Sequence, residues 1–196
     1  MPTPLPPIEK HPLEPFLPAG ARLLMLGSFP PKRERWSMEF FYPNRINDMW
    51  RIMGLLFFGA KDHFECPAEK RFDKERIVDF CTHLGLALYD TASEVRRLKD
   101  NASDAFLEVV TPTDLRALLQ QIPHCRAIVA TGEKAAEVVS QCFGCSKPAV
   151  GASAEFTFAG RTLRLWRMPS SSRAYPLPLD RKADHYRRMF LFEGIL

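Results

Sequence analysis

The segment ARLLMLGSFP, residues 21–30, decides the fold that we predict for this chain. After Arg22, residues 23–26 are apolar without polar alternation, so residues 22–26 predict a strand buried on both faces of a sheet. The run ends in Gly27-Ser28-Phe29-Pro30, and a charged run follows at residues 32–35. A buried strand that leads directly into such a loop is typical of the start of a ligand site in an α/β protein.

The rest of the chain repeats this pattern of strand and helix. The spacing of apolar residues predicts helices over residues 46–58, 67–84, 111–122, 134–143 and 180–192. Apolar runs predict strands at residues 86–89 and 126–130, and an alternating pattern predicts a hairpin within residues 154–167. This order predicts an α/β domain with three layers (α/β/α) and a short, mostly parallel, four-stranded central sheet.

Length and composition favour a single globular domain preceded by an arm. The chain has 196 residues, of which 46% are hydrophobic and 26% are charged, as is ordinary for a soluble protein. Residues 1–20 are rich in proline and predict an extended arm, so we expect the domain to cover residues 21–196. No apolar run is long enough to span a membrane, and the N-terminus lacks the pattern of a secretory signal. We therefore expect a cytoplasmic protein without membrane association.

The net charge and the cysteines leave the class of partner open. A net charge of +4 permits a polyanionic partner but does not require one. The odd number of cysteines, five, argues against a disulfide framework in a cytoplasmic protein. Cys142 and Cys145 have C-x-x-C spacing, but they end a predicted helix and no second pair accompanies them. Reduced thiols are the simpler interpretation, and a small-molecule or thiol-based α/β protein is an alternative.

Three predicted strands end in loops whose residues could bind a ligand. They are residues 27–30, Thr131-Gly132-Glu133 and Met168-Pro169-Ser170-Ser171-Ser172. In a parallel sheet these loops should lie along one edge, where α/β proteins bind ligands. The first loop matches neither a phosphate-binding P-loop nor a dinucleotide or hydrolase motif.

Aromatic and amide side chains follow the first loop, among them Tyr42, Asn44 and Asn47. A planar heteroaromatic ring needs an aromatic surface for stacking and amides to read its edge. The simpler interpretation is that the aromatics belong to the core and that Asn47 caps a helix. Ser170–Ser172 with Arg173 could similarly bind phosphodiester oxygens, whereas the arginines further on could form a solvated helix face.

Several motifs, taken in their order, resemble those of the uracil-DNA glycosylase superfamily. The first is G-x-x-P at residues 27–30, and the second is Tyr42-Pro43-Asn44-Arg45-Ile46-Asn47-Asp48-Met49-Trp50, which opens a helix. Leu88-Tyr89-Asp90 with Ser103-Asp104 resembles the middle segment of the hypoxanthine-DNA glycosylase branch, and residues 131–135 resemble the family's fourth-strand turn. The last is the x-P-S loop that enters DNA, at residues 168–174. The resemblance is nearest to the hypoxanthine-DNA glycosylase and mismatch-specific uracil glycosylase-like branches.

The resemblance leaves the position of the attacking water open. Most branches place it with Asp, Asn or Glu in the first motif, where this chain has Phe29. The hypoxanthine branch also lacks a polar group there and relies on an asparagine before the helix tryptophan. Asn47 lies three residues before Trp50, as that pattern requires, but the segment is two residues longer than usual, so Asn44 or Asp48 could take the role.

The resemblance implies a monofunctional DNA glycosylase of base excision repair that removes a deaminated base, uracil or hypoxanthine, by hydrolysis of the N-glycosidic bond. It implies no metal and no organic cofactor, a partner that is DNA with a damaged base, and nothing beyond a monomer. A catalytically silent protein that binds DNA or a nucleobase is the alternative, because Phe29 and Met168 replace polar residues of other branches. The implied catalytic residues are Asn47 and Asp48; the base pocket comprises Gly27, Ser28, Phe29, Phe41, Tyr42, Asn44 and Met168; the DNA-binding residues are Pro30, Pro169, Ser170, Ser171, Ser172 and Arg173.

Overall fold

The computed structural model describes residues 5–98 and 106–196. The strands in these ranges are β1 (Ile8–Lys10), β2 (Leu23–Gly27), β3 (Glu65–Cys66), β4 (Arg71–Phe72), β5 (Leu86–Asp90), β6 (Ala92–Arg97), β7 (Leu107–Pro112), β8 (Ala127–Thr131), β9 (Ser153–Phe158) and β10 (Arg161–Met168). The helices are α1 (Met49–Phe58), α2 (Lys74–Leu84), α3 (Leu115–Gln121), α4 (Glu133–Phe143) and α5 (Leu179–Phe192), together with a short 3-10 helix at Arg33–Arg35.

The central sheet contains five strands in the order β5-β2-β8-β10-β9. All neighbours are parallel except β9, which pairs antiparallel with β10. The predicted fold class is confirmed, but the sheet has five strands and not four, because both strands of the predicted hairpin join it. The chain runs from β2 outward to β5 and then back across β2 to β8, so the strand order reverses between β2 and β8.

Helices cover both faces of this sheet. On one face α1 lies between α2 and α5, where the Phe57 ring meets Phe80 and Phe190 at centroid distances of 5.1 and 5.2 Å. The other two helices, α3 and α4, lie together, since Arg116 donates to the carbonyl of Cys142 at 2.9 Å. Right-handed crossovers place the two groups on opposite faces. Every residue of β2, β5 and β8 is buried, which explains their unbroken apolar sequences.

Three helices begin later than their patterns predict, and in two of them, α2 and α3, a short acidic side chain caps the observed start. Asp73 accepts a hydrogen bond from the backbone N–H of Arg76 at 3.1 Å, and Asp114 accepts one from Ala117 at 3.0 Å. The residues before α2 form the small hairpin of β3 and β4, and those before α3 end β7.

A second, antiparallel sheet contains β1, β6 and β7, and its three strands have no counterpart among the predicted elements. Its edge strand β1 comes from the proline-rich arm and pairs with β6. Further along the arm, Phe16 forms a bridge with Leu88 of β5. The described part of the arm therefore lies against the free edge of β5 and reaches the carboxyl end of that strand at His11.

Two motif residues, Ser103 and Asp104, lie outside the described residues, as does the start of the arm at residues 1–4. Within the ranges that the structure describes, no helix combines the length and the apolar character that crossing a membrane requires.

Candidate active site

A cavity of about 600 Å³ opens at the carboxyl ends of four strands of the central sheet. Gly27 ends β2, Asp90 ends β5, Thr131 ends β8, and Ser170 follows β10. The volume is that of a site for a small organic ligand. The cavity also adjoins the point where the strand order reverses, which is the usual ligand site of such sheets. The structure brings to this cavity Gly27, Ser28, Phe29, Pro30, Phe41, Tyr42, Asn44, Asn47, Ser170, Ser171, Ser172 and Arg173.

Gly27 and Asp90 form the floor of the cavity, side by side in the register of β2 and β5. A Cβ atom at Gly27 would lie 2.4 Å from Oδ1 of Asp90, so glycine is the residue that leaves room for this carboxylate. The other oxygen, Oδ2, lies 2.8 Å from Nε2 of His11. Asp90 is only 7% exposed. A buried carboxylate in a cavity wall is a strong acceptor for an N–H donor on a ligand.

Tyr42 forms an aromatic wall of the cavity in a conformation that few residues adopt. Its φ angle is +50°, in the left-handed region. Its hydroxyl donates to Oγ1 of Thr131 at 2.9 Å, since Thr131 itself donates to the carbonyl of Leu26 at 3.2 Å. Burial, and after it the charge of Asp90, raise the pKa of the phenol well above its ordinary value, so Tyr42 remains a neutral donor. Backbone strain of this kind concentrates at functional sites.

Phe41 and Phe29 add further aromatic surface. Phe41 is 4% exposed, and the indole of Trp50 donates to its carbonyl at 3.0 Å. Phe29 packs edge-on against His11 at a centroid distance of 5.3 Å. Trp50 belongs to the core, at 1% exposure, whereas Phe41 is both a core residue and part of the cavity wall.

Asn44 and Asn47 reach the cavity and also fold the backbone before α1. Oδ1 of Asn44 accepts from the N–H of Ile46 at 3.1 Å, and Oδ1 of Asn47 accepts from that of Met49 at 2.9 Å. These turns explain why α1 begins only at Met49. The amide nitrogen of Asn47 has no acceptor among the residues that the structure describes, so it can donate to a ligand or a water.

The loop after β10 presents hydroxyl groups beside an arginine. The hydroxyl oxygen of Ser170 accepts from the N–H of Ser172 at 3.2 Å, and that of Ser172 accepts from Ala174 at 3.2 Å. Each hydroxyl keeps its own proton to donate to a ligand. The side chain of Arg173 is 55% exposed. Hydroxyls and an exposed guanidinium in one loop suit the oxygens of a phosphodiester.

Asp48 lies outside the cavity, in a group of charges formed with the buried Lys182 and the exposed Arg173, here called the Asp48 cluster. Lys182 is 1% exposed, and its Nζ donates to Oδ2 of Asp48 at 2.9 Å and to the carbonyl of Ser172 at 2.7 Å. Nε of Arg173 lies 3.4 Å from Oδ1 of Asp48, and the N–H of Asp48 donates to the carbonyl of Ser171 at 2.9 Å. The structure thus brings the two asparagines, but not Asp48, to the cavity.

Met168, expected in the base pocket, and Pro169, expected to bind DNA, do not line the cavity. Met168 is fully buried in the hydrophobic core. Pro169 does not line the cavity, and its carbonyl accepts from the hydroxyl of Tyr186 at 3.2 Å. Pro169 therefore fixes the start of the loop to α5, while the base-pocket position expected for Met168 is not observed.

Three charged residues of the cavity wall, Arg35, Asp90 and Arg97, are absent from the candidate site residues of the sequence analysis, although Asp90 belongs to one of the motifs. Asp90 has a signal in the sequence, since it is a polar residue at the end of a buried strand. Arg97 has none, because its position depends on the second sheet. Its guanidinium lies 3.0 Å from Oε2 of Glu9 and donates to the carbonyl of Pro30 at 3.2 Å.

The cysteines are not part of this cavity. Burial raises the pKa of the Cys142 and Cys145 thiols, and the nearby Arg116 only partly offsets this for Cys142. Burial also raises the pKa of Cys125 to about 12. Among the described residues, no three His, Cys, Asp or Glu side chains converge into a group that could hold a metal ion.

No known protein-family model matches this chain, and no curated protein matches it. Its fold is similar to that of a protein from Methanosarcina acetivorans solved by solution NMR and named a "putative Uracil DNA glycosylase". The match covers 95% of this chain and 99% of that chain, with 20% sequence identity and a TM-score of 0.64. The chain therefore has the uracil-DNA glycosylase-like α/β/α fold, with a mostly parallel sheet of five strands.

Proposed function

We propose that this protein is a DNA glycosylase that excises a deaminated base, uracil or hypoxanthine, as a step of base excision repair. The observation that carries the proposal is the cavity itself. Its aromatic walls, its two asparagines and the carboxylate of Asp90 suit a planar base, and the loop of Ser170–Arg173 beside it suits a phosphodiester. The likeness in fold to a protein named as a glycosylase supports the same reading.

Asp90 and the backbone of the first loop offer a hydrogen-bond pattern that deaminated bases match. Deamination converts a ring nitrogen that accepts a hydrogen bond into an N–H that donates one, and it converts an exocyclic amine into a carbonyl. The carboxylate of Asp90 would accept from that ring N–H, and the backbone N–H groups of Ser28 and Phe29 would donate to the carbonyl. Cytosine and adenine present the opposite pattern at both atoms, so they would leave buried polar groups unpaired.

The chemistry would need no covalent nucleophile from the protein. Tyr42 and Phe41 would stack the extruded base, and Asn47 would hold a water below the sugar. The bond from C1′ to the base nitrogen breaks through an oxocarbenium-like state, and the water oxygen then bonds to C1′. The N–H groups of the first loop would stabilise the negative charge that grows on the leaving base.

Cleavage of end-labelled oligonucleotides after alkali tests the proposal. Each strand carries one uracil, hypoxanthine or xanthine, in single- and double-stranded form. We expect release of at least one of these bases by the wild type. Asn47→Ala should lower the single-turnover rate on the order of a hundredfold or more, because it removes the group that places the water. Asn44→Ala is run beside it, because Asn44 lines the same cavity and makes a similar backbone hydrogen bond. A loss confined to Asn44→Ala would move the water-placing role to Asn44.

Other outcomes separate the alternatives. Equal loss in both asparagine variants together with a lower Tm would assign the effect to the folding of the segment before α1. If no base is released while the wild type still binds the oligonucleotides, a binding protein without hydrolysis is the better description. If neither cleavage nor binding occurs, the DNA function is rejected.

A further inference from the structure

Two charged residues of the cavity wall form hydrogen bonds with side chains of the N-terminal arm, which do not themselves line the cavity. Glu9 and His11 are two residues apart in the extended segment that contains β1, so they lie on the same side of it. Glu9 accepts from Nε and Nη2 of Arg97 at 3.2 and 3.0 Å, and Nε2 of His11 lies 2.8 Å from Oδ2 of Asp90. Arg97 and Asp90 both line the cavity.

We propose that His11 is a positioning residue that fixes Asp90 as the hydrogen-bond acceptor for the base, so that the arm completes the active site. The inference rests on the proposed function, because it specifies how the site recognises its base. His11 does not line the cavity and would not touch the base itself.

The imidazole of His11 is held in one place. Its side chain is 2% exposed, and its ring packs against Tyr89, Phe29 and Phe41 at centroid distances of 4.6, 5.3 and 6.3 Å. Nδ1 lies 2.8 Å from the carbonyl oxygen and 3.2 Å from the nitrogen of Leu13, so either state of Nδ1 has a partner. When Nδ1 accepts from the N–H of Leu13, Nε2 carries the proton of the neutral imidazole and donates it to Asp90.

This contact determines which oxygen of Asp90 a base would meet. His11 occupies Oδ2, and Oδ1 lies over the Cα of Gly27 on the floor of the cavity. The carboxylate is thus held from two sides, and Oδ1 is the oxygen that remains for the ring N–H of a base. Without the donor on His11, the carboxylate could rotate. Oδ1 would then no longer be held where the ring N–H of the base can donate to it.

The test compares two substitutions of His11. His11→Phe keeps a ring against the three aromatic neighbours and removes the N–H donor, whereas His11→Gln restores a donor. Lys10→Ala is the matched control, since Lys10 lies on the exposed side of the same strand. Single-turnover rate, KM for DNA and Tm are measured for each. Binding is measured to a duplex with 2′-fluoro-2′-deoxyuridine or 2′-fluoro-2′-deoxyinosine, whose fluorine opposes the oxocarbenium-like state and so slows hydrolysis.

We expect His11→Phe to slow the chemical step about ten- to a hundredfold while KM for DNA stays near the wild-type value. Tm should fall moderately, because the buried carboxylate of Asp90 loses a donor. His11→Gln should recover part of the rate, and Lys10→Ala should match the wild type. Equal rates for His11→Phe and wild type would overturn the inference. So would an equal fall in rate and Tm in both His11 variants, because that result describes packing alone.

The fluorinated duplex separates this inference from the proposed function. Suppose that the wild type hydrolyses no substrate but binds the fluorinated duplex more tightly than an undamaged one. The glycosylase function is then rejected. The inference is kept if His11→Phe removes this preference. If His11→Phe keeps that preference, the inference fails. If the wild type shows neither hydrolysis nor preference, both are overturned.

Discussion

At the scale of single residues, Gly27 is the position where the least change should have the largest effect. Its Cα lies against the carboxylate of Asp90, and a Cβ atom would come within 2.4 Å of Oδ1. We expect Gly27→Ala to displace that carboxylate, to lower the free energy of unfolding by about 1–3 kcal/mol, and to abolish base release. Urea denaturation and the oligonucleotide assay measure the two effects separately.

Gly144→Ala is the control for this prediction. Gly144 ends α4 with a φ of +67°, and a Cβ atom there would meet nothing within 4 Å. The strain of that backbone angle should lower stability by about 1–2 kcal/mol and leave base release unchanged. If both alanine variants keep wild-type activity, the carboxylate of Asp90 does not need the position that Gly27 gives it.

The thiols of Cys142 and Cys145 provide a second prediction at this scale. Burial raises the pKa of both, so the reactive thiolate is rarer at pH 8 than in a free cysteine and increases as the pH rises above that value. We expect a colorimetric disulfide reagent to modify the folded protein more slowly than free cysteine at pH 8. The Cys142→Ser, Cys145→Ser double variant should retain full base release. A thiol that reacts rapidly near neutral pH, together with loss of activity in that variant, would favour a thiol-based function.

At the scale of elements, the Asp48 cluster links α1, α5 and the loop after β10. Lys182 neutralises a carboxylate that is 6% exposed and also holds the carbonyl of Ser172. We expect Lys182→Met to lower the free energy of unfolding by about 3–5 kcal/mol, because it leaves the charge of Asp48 buried with only the exposed Arg173 beside it. Urea denaturation measures the change, and DNA binding should weaken as the loop loses its anchor.

The double variant Asp48→Asn, Lys182→Met shows whether the pair itself is responsible. With both charges removed, stability should recover most of the loss seen in Lys182→Met, as for other buried pairs that are replaced together. Additive losses in the double variant would mean that Lys182 stabilises α5 through packing and not through Asp48.

The elements also show what the sequence can predict. The strands β2, β5 and β8 are predictable because each is buried on both faces and therefore has an unbroken apolar run. The second sheet is not, since β6 and β7 have irregular burial and a shift in register, and β1 has three residues. Asn47 can be found from its spacing to Trp50. Arg97 and the partner of Asp90 cannot, because their contacts join the arm to β5 and β6, more than 75 residues apart in the chain.

At the scale of the whole molecule, the charge is too small and too mixed to hold DNA by itself. The net charge is +4, and many surface arginines already pair with carboxylates, such as Arg33 with Glu39 and Arg164 with Glu155. Binding should therefore depend on few cations beside the cavity. Arg173 is one of them, because the Asp48 cluster contains two cations and one carboxylate and so keeps a net positive charge, with the guanidinium of Arg173 exposed.

This distribution of charge predicts the salt dependence of DNA binding. Each phosphate that a cation neutralises contributes about −0.9 to the slope of log K against log salt for a duplex. We expect Arg173→Gln to make that slope less steep by about one, because one such contact is lost. Arg188→Gln, an exposed substitution near the end of α5, should leave the slope unchanged. Fluorescence anisotropy with a labelled duplex at several salt concentrations measures both. A slope that Arg173→Gln does not alter, or that both substitutions alter equally, would mean that DNA meets a diffuse basic surface and not the loop beside the cavity.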